Sequence, residues 1–293
     1  MIRRKEFTWN PIVRIMGKIV WLASYPKSGN TWLRVFLHNL FRDPDEPYDI
    51  NQIDKFSVSD SAAGWYQQLD PRPVTELTAE EVAQLRPRVH KLITGIFPDN
   101  VFVKTHCALV ESYGTPAITM EYTAGAIYIV RNPLDVAISY AHHFGRGLDE
   151  AILELNSPGL QTQTGPRHVY ELLGSWTEHV ASWTAKPSPA LHVMRYEDML
   201  NEPEKAFGSV VRFLGLSPRR ERVLKAIEQS SFRNMQQQES QKGFEERSDK
   251  SERFFREGRA GQWREAMTPA QIEAVVTAHR QQMTRFGYYP LPS

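Results

Sequence analysis

A single cysteine, Cys107, in 293 residues leaves no intrachain disulfide possible, which fits a reducing compartment. Neither sign of charge is in excess. The 35 basic and 34 acidic side chains leave a formal net charge of +1, too little for a nucleic-acid binder driven by bulk charge but compatible with a local basic pocket. No run of roughly 18 or more apolar residues occurs, so no membrane-spanning helix is expected. The opening stretch, residues 1–18, is basic but has no apolar h-region, so it does not read as a signal peptide. These absences point to a soluble, cytoplasmic protein without a nucleic-acid partner. Also missing is any Gly-Lys-Ser or Gly-Lys-Thr. In a nucleotide P-loop that late lysine reaches the phosphates and the next hydroxyl holds Mg²⁺. A metal-dependent NTPase therefore fits poorly.

What is present is enough apolar material for a sizeable core, at 41% hydrophobic and 24% charged. Short apolar runs alternate with amphipathic ones. Residues 18–24 (KIVWLAS), 101–105 (VFVKT), 126–130 (AIYIV) and 190–195 (ALHVMR) read as buried strands. Helical spacing follows at 31–41, at 134–144 with Pro133 in the first turn, and at 168–184, 203–214, 218–229 and 268–285. That alternation predicts an α/β fold with a central, mostly parallel sheet flanked by helices. No internal repeat or clear linker interrupts it, so residues 1–293 read as one domain. Within it, 1–17 is an N-terminal extension, 43–95 and 145–170 are insertions, and the polar stretch 236–252 is a mobile loop.

Ligands in such sheets bind beyond the carboxyl ends of the strands, where Lys27, His106, Arg131 and Tyr196 all fall. The first of these ends carries Tyr25-Pro26-Lys27-Ser28-Gly29-Asn30 between strand and helix. A loop of this kind offers main-chain N–H groups at the positive end of a helix, a natural seat for phosphate or another anion. Gly29 allows close approach, Ser28 and Thr31 add hydroxyls, and Lys27 adds a charge. Alone, the segment also reads as an ordinary strand-to-helix turn with a surface lysine.

The stretch YPKSGNTW, residues 25–32, resembles the 5′-phosphosulfate-binding loop of the cytosolic-type sulfotransferases. These enzymes transfer a sulfuryl group from 3′-phosphoadenosine 5′-phosphosulfate (PAPS), leaving adenosine 3′,5′-bisphosphate (PAP). The usual threonine is replaced here by Asn30, which keeps a hydrogen-bonding side chain. Other segments are similar to the family's in the same order. IVRNPLDVAISYAHHF resembles the 3′-phosphate segment, implying that Arg131 and Ser139 grip that group. A guanidinium suits a phosphate through paired donors. FFREGRAGQWRE resembles the Arg-Lys-Gly-x-x-Gly-x-Trp segment through Arg256, Gly258, Gly261 and Trp263. Glu257 stands where lysine is usual, a reversed charge that Arg259 can offset. RYEDM implies Tyr196 near the adenine, and SSFRNM implies Ser230 on the nucleotide with Phe232 facing Trp32 across the base. Aromatic faces against a base contribute roughly 1–3 kcal/mol each; ordinary core packing is the other reading of Trp32. The resemblance spans residues 19–265, is weak at 43–95 and 145–185, and implies a P-loop-NTPase-like three-layer fold.

VKTH resembles the family's strand that ends in the catalytic histidine, which makes His106 the implied general base. Its unperturbed pKa of about 6.5 suits proton abstraction near neutrality. Lys104 stands two residues earlier on the same strand face, and Lys27 is placed to neutralise the departing phosphate oxygen. The scheme needs no metal. His142 and His143 point about 100° apart on a helix and make a poor chelate without partners. Cys107 reads as a buried, inert thiol. A P-loop-type kinase or NTPase, or a non-catalytic nucleotide-binding homologue, is the alternative. The acceptor is expected to be a small, partly apolar hydroxyl or amine compound, bordered by residues 64–66, Phe97, residues 142–144 and 236–252. A monomer or homodimer is compatible with the sequence.

Overall fold

The structure, a computed structural model, describes residues 17–291. The expected extension 1–17 therefore lies outside the described residues except for Gly17. The chain forms two compact units. One contains the residues up to Tyr25, Ser57–Tyr128 and Glu154–Val193; the other contains Pro26–Phe56, Ile129–Leu153 and the chain from Met194 onward.

The strands are β1 (Ile19–Ser24), β2 (Ser57–Ser59), β3 (Val101–Thr105), β4 (Glu111–Ser112), β5 (Thr115–Pro116), β6 (Thr123–Val130) and β7 (Leu191–Arg195). Five of them form the first unit's sheet, in the order β2-β3-β1-β6-β7. The last residues of β6 and β7 carry the chain into the second unit. β3 runs parallel to both β1 and β2, with Leu22 opposite Lys104 and Ala23 opposite Thr105. Every residue of β1 is buried, as expected of a central strand covered on both faces. β4 and β5 make a separate antiparallel hairpin. β2 goes beyond the sequence expectation, since Ser-Val-Ser offers no apolar run.

In the same unit a helix spans Ala79–Thr94, within the stretch 43–95 read from the sequence as an insertion. Thr78 and Glu81 close a capping box at its start, and Pro87 lies inside it. An interior proline costs about 3 kcal/mol. The buried face of Val82, Ala83, Val89 and Ile93 offsets that cost and carries the helix past the break. Conversely, the expected helix 168–184 is confined to Trp176–Thr184. Gly174, at φ 64°, turns the chain, and Ser175 with Glu178 caps the new helix.

The second unit is mainly helical: Asn30–Arg42, Pro133–Phe144, Tyr196–Asn201, Pro203–Phe213, Arg220–Gln229, Phe232–Lys242 and Pro269–Arg285. Helix Phe232–Lys242 takes the first part of the segment expected to be a loop. Its buried residues are Met235 and Glu239, one helical turn apart. A stripe that narrow is invisible to a hydrophobic-period reading. Glu239 accepts hydrogen bonds from the main-chain N–H groups of Phe254 and Phe255 at 2.7 and 2.8 Å. Among the described residues, no helix is long and apolar enough to cross a membrane.

Candidate active site

All the residues expected to hold nucleotide fall in the second unit, beginning with the loop after β1. Lys27 adopts φ 65° and Gly29 φ 105°. Two left-handed residues so close together bend the chain sharply into helix Asn30–Arg42, whose N-cap, Gly29, has no side chain to offer. Thr31 and Asn30 are buried in its first turn. Ser28 is wholly buried, and its Oγ has no hydrogen-bond partner among the described residues. Such a hydroxyl costs about 1–3 kcal/mol unless something pairs with it. The Tyr196 ring lies directly on Gly29: a Cβ there would fall 2.7 Å from Tyr196 Cδ2. Gly29→Ala is therefore expected to destabilise the protein by about 1–3 kcal/mol, from backbone strain and displacement of the ring. Urea unfolding checks this, and an unchanged midpoint would contradict it.

Arg131 follows β6 and is 5% exposed. Its Nη1 donates to the Lys27 carbonyl at 2.9 Å and its Nη2 to the Arg259 carbonyl at 3.4 Å. The guanidinium also lies 4.2 Å over the Tyr196 ring, while Nε has no partner among the described residues. Asn132 caps helix Pro133–Phe144 through Leu134 N at 3.1 Å. Ser139 stands on this helix, half-buried.

The segment 256–263 is held to the same helix by Asp135, which accepts from Gly261 N at 2.7 Å and Trp263 N at 3.3 Å. Arg256 contacts Glu257 and Gln262. Glu257 also pairs with Arg259 at 2.7 Å, and Arg259 with Glu265 at 2.8 Å. The unusual carboxylate thus sits between two guanidiniums, and its charge is balanced within the loop. Gly258, at φ 61°, packs on the Phe232 ring with no room for a Cβ. Ser230 is buried and donates to Ile227 O at 3.1 Å.

Trp32 meets Tyr196 and Phe207 edge-on, with centroids 5.8 and 5.7 Å away. With Phe232 and Phe254 it packs against the cluster of Val35, Ile50, Ile53, Met235, Phe244 and Phe255. Core packing is therefore part of what Trp32 and Phe232 do. Lys27 Nζ rests 3.8 Å over the Phe254 ring.

Lys104 and His106 belong to the first unit. Lys104 is half-buried near the end of β3. His106 Nδ1 lies 2.8 Å from the Ser24 carbonyl. A carbonyl oxygen only accepts, so Nδ1 carries the proton and the neutral ring keeps its lone pair on Nε2. That is the tautomer a general base requires. His106 N–H donates to Glu171 Oε1 at 3.2 Å. Burial pushes the Cys107 thiol up to about 12, in keeping with an inert group. Tyr66 is wholly buried and so does not face an open cavity.

The sequence model of the sulfotransferase domain matches residues 18–287. The chain belongs to the sulfotransferase domain family. Its activity is that of a PAPS-dependent sulfotransferase, and neither the kinase or NTPase reading nor the non-catalytic one finds support. Sulfotransferase 1E1 of Cavia porcellus is 27% identical over 278 residues, 89% of this chain and 82% of that protein. Mouse sulfotransferase SULT7A1, solved with PAP, superposes with a TM-score of 0.61 at 22% identity, covering 92% of this chain and 86% of the other. A retinol dehydratase solved with retinol and PAP gives 0.63 at 21% identity, with coverages of 95% and 84%. At these identities the structural likeness concerns the fold: α/β, of the P-loop-NTPase-like class.

Several carboxylates that hold individual segments of this sulfotransferase in place are not among the residues the motifs assign a role. Asp135 and Glu197 lie inside the quoted motifs. Glu197 accepts from Asn132 N at 3.0 Å and from the Tyr288 hydroxyl at 2.7 Å. Burial raises its pKa above the ordinary carboxylate range. A carboxylate in the first turn of a helix that follows a strand is the available signal. Glu171 and Glu239 had none, because their partners are distant in sequence.

Proposed function

We propose that this sulfotransferase moves the sulfuryl group of PAPS onto a hydroxyl, or an amine, of a small acceptor, with His106 as general base. The observation that carries the assignment is the Nδ1 bond from His106 to the Ser24 carbonyl at 2.8 Å, which leaves Nε2 as the basic nitrogen. The acceptor proton passes to His106 Nε2 as the acceptor oxygen bonds to sulfur. The sulfur–oxygen bond to the donor phosphate breaks, and its electron pair stays on the phosphate oxygen. Lys27 neutralises that oxygen, with Lys104 as a second cation. The imidazolium then releases its proton to solvent.

The donor suits the residues expected to hold it. Ser28 has a hydroxyl in need of a partner, and the Gly29 backbone has no side chain in the way. With Asn30 and Thr31 these groups would take the 5′-phosphosulfate. Arg131, Ser139 and Arg256, with the main chain of Glu257 and Gly258, would take the 3′-phosphate. Trp32, Tyr196, Ser230 and Phe232 would border the base. The reading extends to one functional domain, with 43–95 and 145–170 on the acceptor side, acting in the cytoplasm as a monomer or homodimer. The retinol bound by the dehydratase neighbour favours a partly apolar hydroxyl compound.

Incubation with PAPS and a panel of alcohols, phenols and amines is expected to release PAP only when an acceptor is present, equally with and without a chelator. PAP binding without release would support a non-catalytic protein. Loss of turnover in the chelator would overturn the metal-free scheme.

A further inference from the structure

The main chain around His106 has left the sheet; beside a main-chain bond from Ala108 N to the Leu172 carbonyl at 2.7 Å, it is held by side chains. Helix Trp176–Thr184 supplies three of them from one face. His179 Nε2 lies 3.0 Å from the His106 carbonyl, Trp183 Nε1 donates to the Cys107 carbonyl at 3.0 Å, and Ser182 Oγ accepts from Leu109 N at 3.0 Å. Their spacing of three and four residues is that of one helix face. His179 continues the chain further. Its Nδ1 is 2.8 Å from the Tyr128 hydroxyl, and the Tyr128 oxygen in turn is hydrogen-bonded to the Tyr25 main chain.

Carbonyl chemistry fixes every proton in this series. The His106 oxygen only accepts, so His179 Nε2 must donate, and His179 Nδ1 must accept from the Tyr128 hydroxyl. Both rings are fully buried. Burial lowers the His179 pKa to about 3 and raises that of Tyr128 well above its ordinary value, so both stay neutral. The His106 imidazole is held to Ser24 and its carbonyl, through His179 and Tyr128, to Tyr25. Side chain and main chain of the base are thus referenced to adjacent residues at the end of β1.

We propose that His179, oriented by Tyr128, is a positioning residue for sulfuryl transfer: it fixes the main chain of His106 so that Nε2 meets the acceptor proton. The inference rests on His106 being the base. Small misplacements of a reacting group cost up to about 10²-fold in rate.

The test compares His179→Leu, His179→Gln and Tyr128→Phe for PAP affinity, thermal unfolding, kcat and KM. Glutamine places an amide N–H where the imidazole Nε2–H stood; leucine fills the space without a donor. Expected are an unchanged Kd for PAP in all three, a kcat about tenfold or more lower in His179→Leu, recovery of most of that loss in His179→Gln, and an intermediate kcat in Tyr128→Phe, with KM little altered. Wild-type kcat in a folded His179→Leu would overturn the proposal, as would equal losses in the leucine and glutamine variants. If His179→Leu fails to fold, Tyr128→Phe decides: wild-type kcat there overturns the proposal, and a lowered kcat at unchanged KM supports it. Full activity in His106→Ala would instead refute the base assignment, a separate failure.

Discussion

His106→Ala is expected to lower kcat by roughly 10²–10⁴-fold while leaving the Kd for PAP essentially unchanged. The reason is geometric before it is electrostatic. The Ser24 carbonyl accepts from Nδ1 at 2.8 Å, which selects the tautomer whose Nε2 can take a proton. Alanine removes the base and also leaves the Ser24 carbonyl without that donor. His106→Asn separates the two effects. Its amide nitrogen can stand at the Nδ1 position and donate to Ser24, but it offers no basic nitrogen. A loss in His106→Asn as large as in His106→Ala identifies proton removal as the missing function. Wild-type kcat in His106→Asn would show that orientation of this segment, not proton transfer, is what His106 supplies. Titration with PAP guards against misfolding, because the residues proposed to hold the nucleotide lie on other segments.

How much of this is legible in the sequence depends on how local the cause is. β1 is legible because a strand covered on both faces needs an unbroken apolar run, and residues 19–24 are all buried. Helix Pro269–Arg285 is legible because Thr268 and Pro269 announce it; the structure shows Thr268 in a full capping box with Gln271. Lys27, Arg131 and His106 stand out at strand ends because their motifs are contiguous. β2 is not legible, since its pairing with β3, not its composition, makes Ser57–Ser59 a strand. His179 reads only as part of a helix. What sets it apart is a hydrogen bond to a carbonyl 73 residues away, and sequence patterns carry no trace of such a bond. Glu257 is legible as a departure, but its consequence is not. Only the structure shows the carboxylate shared between Arg256 and Arg259.

Arg131→Ala is expected to weaken PAP binding by about two to three orders of magnitude. Hydrogen bonds to a charged group contribute roughly 1.5–3 kcal/mol each, every 1.4 kcal/mol is about tenfold, and a guanidinium can offer a phosphate two such bonds. Adenosine 5′-phosphosulfate, which lacks the 3′-phosphate, should lose far less. The contrast matters because Arg131 also has an internal role. It donates to the Lys27 carbonyl at 2.9 Å and covers the Tyr196 ring at 4.2 Å, so its loss also loosens the loop that carries Lys27. A purely internal role predicts equal weakening of both nucleotides, measured by calorimetric titration. A phosphate role predicts the selective loss. Arg131→Lys sharpens the distinction further. An ammonium can restore one point charge to the phosphate but cannot donate from separate nitrogens to the Lys27 and Arg259 carbonyls while also facing a ligand. Partial recovery toward PAP, without recovery toward adenosine 5′-phosphosulfate, is the outcome that assigns the charge of Arg131 to the 3′-phosphate and its shape to the loop.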